Sequence, residues 1–235
     1  MTEAASATRS IPPRVAAFRE DYRREHVGPS YSGRAHFAFT SLGALAVIGF
    51  ALSRVEAGRP WEWLTVPGVF LLGNVVEFLG HRGPMHHRRR GLGLLFRRHT
   101  EQHHRFFTHE ALACESARDV KMVLFPPVLL LFFLGGIAAP LGALCFTLIS
   151  PNVGWLFVAS AIGYYLTYEW LHFSHHLPPE HPVARLAVMK RLRRHHEAHH
   201  DPSKMQRHNF NISFPLADWL FGTTWRPGMS DRKKH

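Results

Sequence analysis

The 235-residue chain is long enough for one domain, or for one domain with short extensions. Its 28 Lys and Arg against 17 Asp and Glu leave a formal charge of +11, and a hydrophobic share of 46% excludes disorder as the main state. With only Cys114 and Cys145, a disulfide-stapled scaffold, a Cys-based zinc finger and a four-Cys iron–sulfur site are excluded, and the 19 histidines stand out as the anomaly.

Residues 1–34 contain no apolar core of a secretory signal. They read as a solvated or interfacial lead, with a helix predicted from about Arg14 to His26 behind Pro12-Pro13. The uncharged stretch from Ala35 to Ser53 predicts a first membrane span. Trp61 to about Gly80 predicts a second, with Trp61 and Trp63 placed as interface anchors and Glu77 near its end. Between Lys121 and Glu169, 47 consecutive residues carry no Asp, Glu, Lys or Arg. A crossing takes roughly 20 apolar residues, so this stretch can cross twice, with turns expected at Pro140 and at Ser150-Pro151-Asn152-Gly154. The run Val128–Phe133 is apolar on every helical face, which argues against a soluble helical protein.

The expected fold is therefore an all-α integral membrane protein with about four transmembrane helices and a cytoplasmic helical cap. It divides into a lead (1–34), a membrane-embedded unit (35–225) and a basic tail (226–235). The charges agree with this. The lead, the segment from Gly80 to Lys121 and the segment after His176 hold 26 of the 28 basic residues. With four spans all three fall on one face, which the positive-inside rule makes cytoplasmic. No nucleic-acid-binding module accompanies the charge, so topology and lipid headgroups account for it.

Eleven histidines form four clusters: His81 and His86; His99, His103 and His104; His172, His175 and His176; His196, His199 and His200. The last two have the i, i+3, i+4 spacing that puts three imidazoles on one helical face. In the second, His99 and His103 share a face and His104 points about 100° away. In the first, Pro84 is expected to stop the helix, so that His86 returns from a turn. His81 and His172 end spans two crossings apart, which places them at one membrane depth. Neutral imidazole suits Fe, Zn, Cu and Ni, and a tetrahedral zinc site uses only four ligands; eleven histidines point to two metals. His87, His195 and His208 are adjacent extras, and His26, His36, His109, His181 and His235 are left as ordinary residues. Glu77 and Glu169 share helical faces with His81 and His172. Each is expected either to accept the other ring N–H of such a histidine or to be an interfacial carboxylate paired with Arg82 or Arg98.

The pattern His-Arg-Gly-Pro-Met-His, His-Thr-Glu-Gln-His-His, His-Phe-Ser-His-His and His-His-Glu-Ala-His-His, with a hydrophobic hairpin between the second and third boxes, resembles the fatty acid hydroxylase/sterol desaturase superfamily. The segment Asn209 to Thr223 resembles that family's closing segment. The likeness covers about residues 65–225. It implies a membrane non-haem di-iron enzyme that uses O2 and two electrons to oxidise a lipid C–H bond. The eleven histidines of the four boxes would be its metal ligands. Two departures are the His-x-x-x-His-His spacing of the second box, where many members have His-x-x-His-His, and Tyr168, where related acyl-chain hydroxylases carry a further histidine.

The expected reaction is O2-dependent hydroxylation of a fatty acyl chain or sterol-like lipid, with two Fe ions as cofactor and zinc as a substitute. Carotenoid hydroxylation and lipid desaturation are the alternatives. A lipid headgroup is expected near Arg88-Arg89-Arg90 or Arg193-Arg194. No Gly-x-Gly-x-x-Gly fingerprint for a flavin or nicotinamide occurs, so a separate ferredoxin- or cytochrome-like electron donor is implied, steered by the basic face. Two rival readings are a zinc hydrolase using Glu101 or Glu197 as acid/base and a metal transporter or binding protein. The transporter would need ligands at mid-membrane depth, where the predicted spans carry no histidine.

Overall fold

The computed structural model describes residues 10–229. The first nine residues of the lead and residues 230–235 of the basic tail, His235 among them, lie outside the described residues. Among the described residues there are helices and turns but no strand, one bridge between Thr108 and Ala111 aside. The all-helical expectation holds.

Helix α1 (Pro13–His26) opens on Pro13, whose fixed φ suits a first helical turn. The Ser32 hydroxyl caps α2 (Gly33–Ser53) by accepting from the Ala35 N–H. A 3-10 turn (Pro60–Leu64) leads into α3 (Thr65–Gly80), which runs on into a π turn (His81–Met85). A short α4 (Gly93–Phe96) continues through a π segment (Arg97–His103) to a last turn (His104–Phe106). Helix α5 (Val128–Phe132) passes through a third π segment (Phe133–Ala138) into α6 (Ala139–Leu148). The long α7 (Pro151–His175) follows, then α8 (Ala187–His199) and the short α9 (Leu216–Leu220).

Three stretches, Gly33–Ser53, Pro60–Met85 and Ala117–Leu148, are long and apolar enough to cross a bilayer. Their outer faces show Leu42, Phe50, Leu71, Val76, Leu79 and Leu144 more than half exposed, a surface suited to lipid rather than water. Helix α7 has the length of a fourth, 25 residues, but carries Tyr164, Tyr165, Tyr168 and Glu169. It packs against α2, α3 and α6, and Leu156, Ile162, Leu166 and Glu169 on it are buried. Protein surrounds those positions, so the helix need not be apolar all round.

The turn expected at Pro140 is not made. Proline lacks an N–H and its ring clashes with the preceding turn of a regular α-helix. The π segment Phe133–Ala138 widens that turn, and the helix runs through Pro140 to Leu148. The chain reverses at Ile149 and Ser150, where the Ser150 hydroxyl caps α7. Across this reversal α6 and α7 touch through glycines. A Cβ on Gly154 would lie 2.6 Å from Phe146 Cβ and 2.7 Å from the Gly142 carbonyl oxygen. Gly154→Val should therefore force the pair apart at a cost of about 1–3 kcal/mol, read as a lower midpoint in thermal scans of the detergent-purified protein; an unchanged midpoint would mean that the contact is loose.

Candidate metal centre

Two of the four histidine boxes pair residues five apart, which a regular α-helix would turn well away from each other. Both lie in π segments, whose i→i+5 bonding brings such residues to one side. The rings of His81 and His86 are 4.9 Å apart, and those of His99 and His104 are 4.7 Å apart. This corrects the expected second box: His99 joins His104, and His103 turns to a different group. It also accommodates Pro84 inside the turn that carries His81 towards His86. The third and fourth boxes lie at the ends of α7 and α8, in regular α-helix.

The four boxes meet as two buried groups. In the first, His81, His86, His99, His104 and His199 each offer a ring nitrogen, all within 4.8 Å of one another; in the second, His103, His172, His176 and His196 do the same. His200 stands between them, its ring stacked 4.3 Å from His104 and its Nε2 3.0 Å from His196 Nε2. His175 is not brought into either group: its Nε2 points to the Ile212 carbonyl at 2.9 Å.

The ring tautomers follow from the acceptors. His103 Nδ1 faces the Met122 carbonyl at 3.0 Å, His176 Nδ1 the Leu112 carbonyl at 2.7 Å, His199 Nδ1 the His208 carbonyl at 3.0 Å and His200 Nδ1 the Phe107 carbonyl at 2.6 Å. His81 Nδ1 bonds the Phe210 carbonyl in the same way. A carbonyl only accepts, so each Nδ1 carries the hydrogen and each Nε2 of a neutral ring carries a lone pair. Burial keeps the rings neutral. It is the largest cause pushing His103 and His199 down to about 4, against the opposing pull of the carbonyl each one bonds, and it takes His99, His104, His196 and His200 well below the ordinary value.

Three of these nitrogens each face the ring nitrogen of another histidine: His199 Nε2 lies 2.9 Å from His86 Nε2, His81 Nε2 2.7 Å from His99 Nε2, and His176 Nε2 3.2 Å from His196 Nε2. Facing lone pairs repel unless a proton or a cation sits between them. With metal–nitrogen bonds of about 2.0–2.1 Å, neighbouring ligand nitrogens stand roughly 2.9–3.4 Å apart, close to the spacings seen. The donor set, all imidazole nitrogen, fits a transition metal in each group.

Neither carboxylate bonds a histidine ring, which corrects the role expected of Glu77 and Glu169. Glu77 accepts instead from the Tyr164 hydroxyl, the Ile212 and Ser213 N–H groups and, at 2.5 Å, the Ser213 hydroxyl. Glu169 accepts from the Phe125 N–H at 3.1 Å. Nor does either pair with Arg82 or Arg98; Arg98 donates to the Lys121 and Leu124 carbonyls. Both carboxylates brace backbone segments, 210–213 and 122–125, whose carbonyls meet the rings. Arg193, one of the arginines expected near a headgroup, is committed to the Leu177 carbonyl at 2.6 Å. Glu101 is exposed and Glu197 half-buried, and neither histidine group includes a carboxylate among its ligand atoms.

Sequence reasoning missed the clasp that holds the closing segment. Asn209, at φ +58°, turns the chain in the left-handed region that Asn tolerates. Buried Asp218 then accepts from the Phe210 and Asn211 N–H groups at 2.9 and 2.7 Å, from the Thr223 hydroxyl at 2.5 Å and from His195 Nε2 at 3.1 Å. The string Asn-Phe-Asn carried a signal, turn formers around one aromatic, but its acceptor lies seven or eight residues on.

The fatty acid hydroxylase family model matches residues 66–223. The chain belongs to the fatty acid hydroxylase family. Among solved structures, full-length Scs7p, of which only the hydroxylase domain is visible, resembles it with a TM-score of 0.56 at 19% identity, covering 82% of this chain and 68% of that one. No curated protein matched. The match ends at Thr223, so the family region includes the Asp218 clasp and leaves α1 and α2 outside.

The clasp predicts a pH effect. Burial acts to raise the Asp218 carboxyl, but bonds from His195, Thr223 and the Asn211 N–H outweigh it and hold the group below its ordinary value. A depressed folded-state value means stability present above the unfolded value, about 3.9, and lost as pH falls through the folded one. Asp218→Asn should lower stability at neutral pH and flatten this acid-side loss; an acid limb identical to wild type would show that Asp218 does not contribute to it.

Proposed function

We propose that this family member hydroxylates an unactivated C–H bond of a fatty acyl or sterol-like lipid, using O2 and two iron ions held by its histidines. The observation that carries the reading is the convergence of buried imidazole nitrogens in two adjoining groups, one of which reaches an apolar cavity through His81. Zinc would occupy such sites but has no redox chemistry. Iron, when bound, supplies the O2-dependent oxidation that no side chain here offers.

The protein's own part is holding and orienting. His81, His86, His99, His104 and His199 would hold one ion, and His103, His172, His176 and His196, with His200 beside them, the other. The carbonyls of Phe210, Met122, Leu112, His208 and Phe107 fix which nitrogen of its partner ring is free to bind, as such outer partners do. His175 is assigned to holding the 210–213 segment through Ile212.

The substrate's place follows from a cavity of about 330 Å³ between α3 and α7, closed by the α5–α6 segment. His81, Met85 and Tyr168 line its inner end, and Val69, Leu141 and Phe157 line it further out. Val69 is twelve residues up α3 from His81, about 18 Å at 1.5 Å per residue, a length that suits an acyl tail. The walls are mostly apolar, so an acyl chain can pass into them from the bilayer without a desolvation penalty, and their shape would hold one carbon near the histidines.

The exposed Arg88, Arg89 and Arg90 lie just beyond the π turn, at the histidine end of the spans. On the positive-inside rule that end is cytoplasmic. It would meet the lipid headgroup and a separate acidic electron donor.

Three measurements test the reading. His199→Ala and His103→Ala should each lower bound iron and abolish turnover while membrane insertion stays normal, whereas His109→Ala should change neither; wild-type iron content in the first two would remove them as ligands. Lipid profiling of a host with and without the gene should show a lipid one oxygen heavier; one lacking two hydrogens would mean desaturation. Val69→Trp should shift that product towards shorter chains with iron content unchanged, and an unshifted profile would place the chain outside this cavity.

A further inference from the structure

Helix α1 lies outside the region matched by the family model, yet it sends a cation to the back of the histidine centre. Arg19 is fully buried. Its Nε donates to the Phe106 carbonyl at 2.8 Å and its Nη2 to the Ala111 carbonyl at 2.6 Å, 87 and 92 residues away in sequence. Its Nη1 lies 3.2 Å from the Glu115 carboxylate, and its guanidinium sits 5.1 and 5.3 Å from the Phe106 and Phe107 rings. Burying a guanidinium is costly unless its donors are used, and the planar fork here spans both ends of one tight turn.

The residues next to those two acceptors meet the histidines. The Phe107 carbonyl takes the His200 Nδ1–H, and the Leu112 carbonyl takes the His176 Nδ1–H. Phe107 is extended, at φ −112° and ψ 114°. In extended backbone consecutive carbonyls point to opposite sides, so fixing the Phe106 carbonyl on the α1 side aims the Phe107 carbonyl inward. The turn is closed by mutual bonds between Thr108 and Ala111, and the Phe107 ring lies 4.1 Å from the His176 ring. Both rings served this way aim their nitrogens at the second group: His176 is in it, and His200, between the groups, meets the first by ring stacking on His104 but points its Nε2 at His196, 3.0 Å away. The first group takes its carbonyls from Phe210 and His208, which Arg19 does not touch.

We propose that Arg19 is a positioning residue for the second metal alone, aiming the two carbonyls that set the tautomers of His176 and His200. This rests on the two-metal reading above. Arg23, one turn along α1, provides the control. It binds Asp119 through Nε at 2.7 Å and Glu115 through Nη2 at 2.7 Å, bracing the same helix without touching the turn carbonyls.

Wild type, Arg19→Met, Arg19→Lys and Arg23→Met are purified in detergent, reconstituted with ferrous iron alone, and assayed for iron per chain and for its loss to a chelator. Arg19→Met should keep one iron as wild type does and lose the other about tenfold faster, Arg19→Lys should fall between, and Arg23→Met should match wild type. Where Arg19→Met is not recovered folded, Arg19→Lys carries the test, since an ammonium cannot span both carbonyls as the fork does. Unchanged release from the Arg19 variants, loss of both irons together, or equal loss from the Arg23 variant would each overturn the positioning role. Wild type that binds fewer than two irons would instead overturn the two-metal reading beneath it, and that shows in the first measurement.

Discussion

A ring N–H given to a backbone carbonyl is the interaction on which the rest of this structure depends. Five imidazoles of the centre make it through Nδ1, and in each the hydrogen is committed to the side away from the centre. What remains inside on each of those rings is a lone pair, buried among the nitrogens of the other histidines. Nitrogens gathered so closely favour a cation among them. The same bonds make the centre depend on segments that carry no ligand, because any movement of a carbonyl rotates a ring.

Those segments are themselves held by buried carboxylates and a buried guanidinium. Glu77 gathers the 212–213 backbone against α3, Asp218 clasps 210–211, Glu169 holds 125, and Arg19 holds 106 and 111. Glu77, Asp218 and Arg19 are each met by several donors or acceptors, the condition under which a buried charge is tolerated, while Glu169 takes the Phe125 N–H. The histidine centre is thus framed by polar straps rather than by apolar packing alone, which suits a site where helices end and irregular backbone begins.

The bilayer supplies the other constraint. Spans must satisfy their own backbone, so irregular chain is confined to their ends, and the π turns lie where helix geometry is being adjusted. At His81–Met85 and Arg97–His103 the wider turn brings residues five apart together; at Phe133–Ala138 it lets the helix absorb Pro140. The apolar cavity opens between the same helices and reaches His81, so on the proposed function the lipid and the metals meet without exposing either to water.

Much of this was legible in the chain itself. Charge-free runs marked the apolar helices, and four histidine boxes with their closing segment marked the family, because these depend on spacing and composition alone. The box histidines that meet, all but His175, could be named, but not their division. That division needed the π turns, which pair His99 with His104 and release His103, and it needed the carbonyls of 107, 112, 208 and 210, since main-chain atoms leave no trace in side-chain patterns. The same limit explains why Glu77 and Glu169 read as partners of nearby rings along their helices, when donors up to 136 residues distant claim Glu77. Local periodicity determines which side chains share a face; only the folded chain decides which backbone oxygen waits opposite each ring.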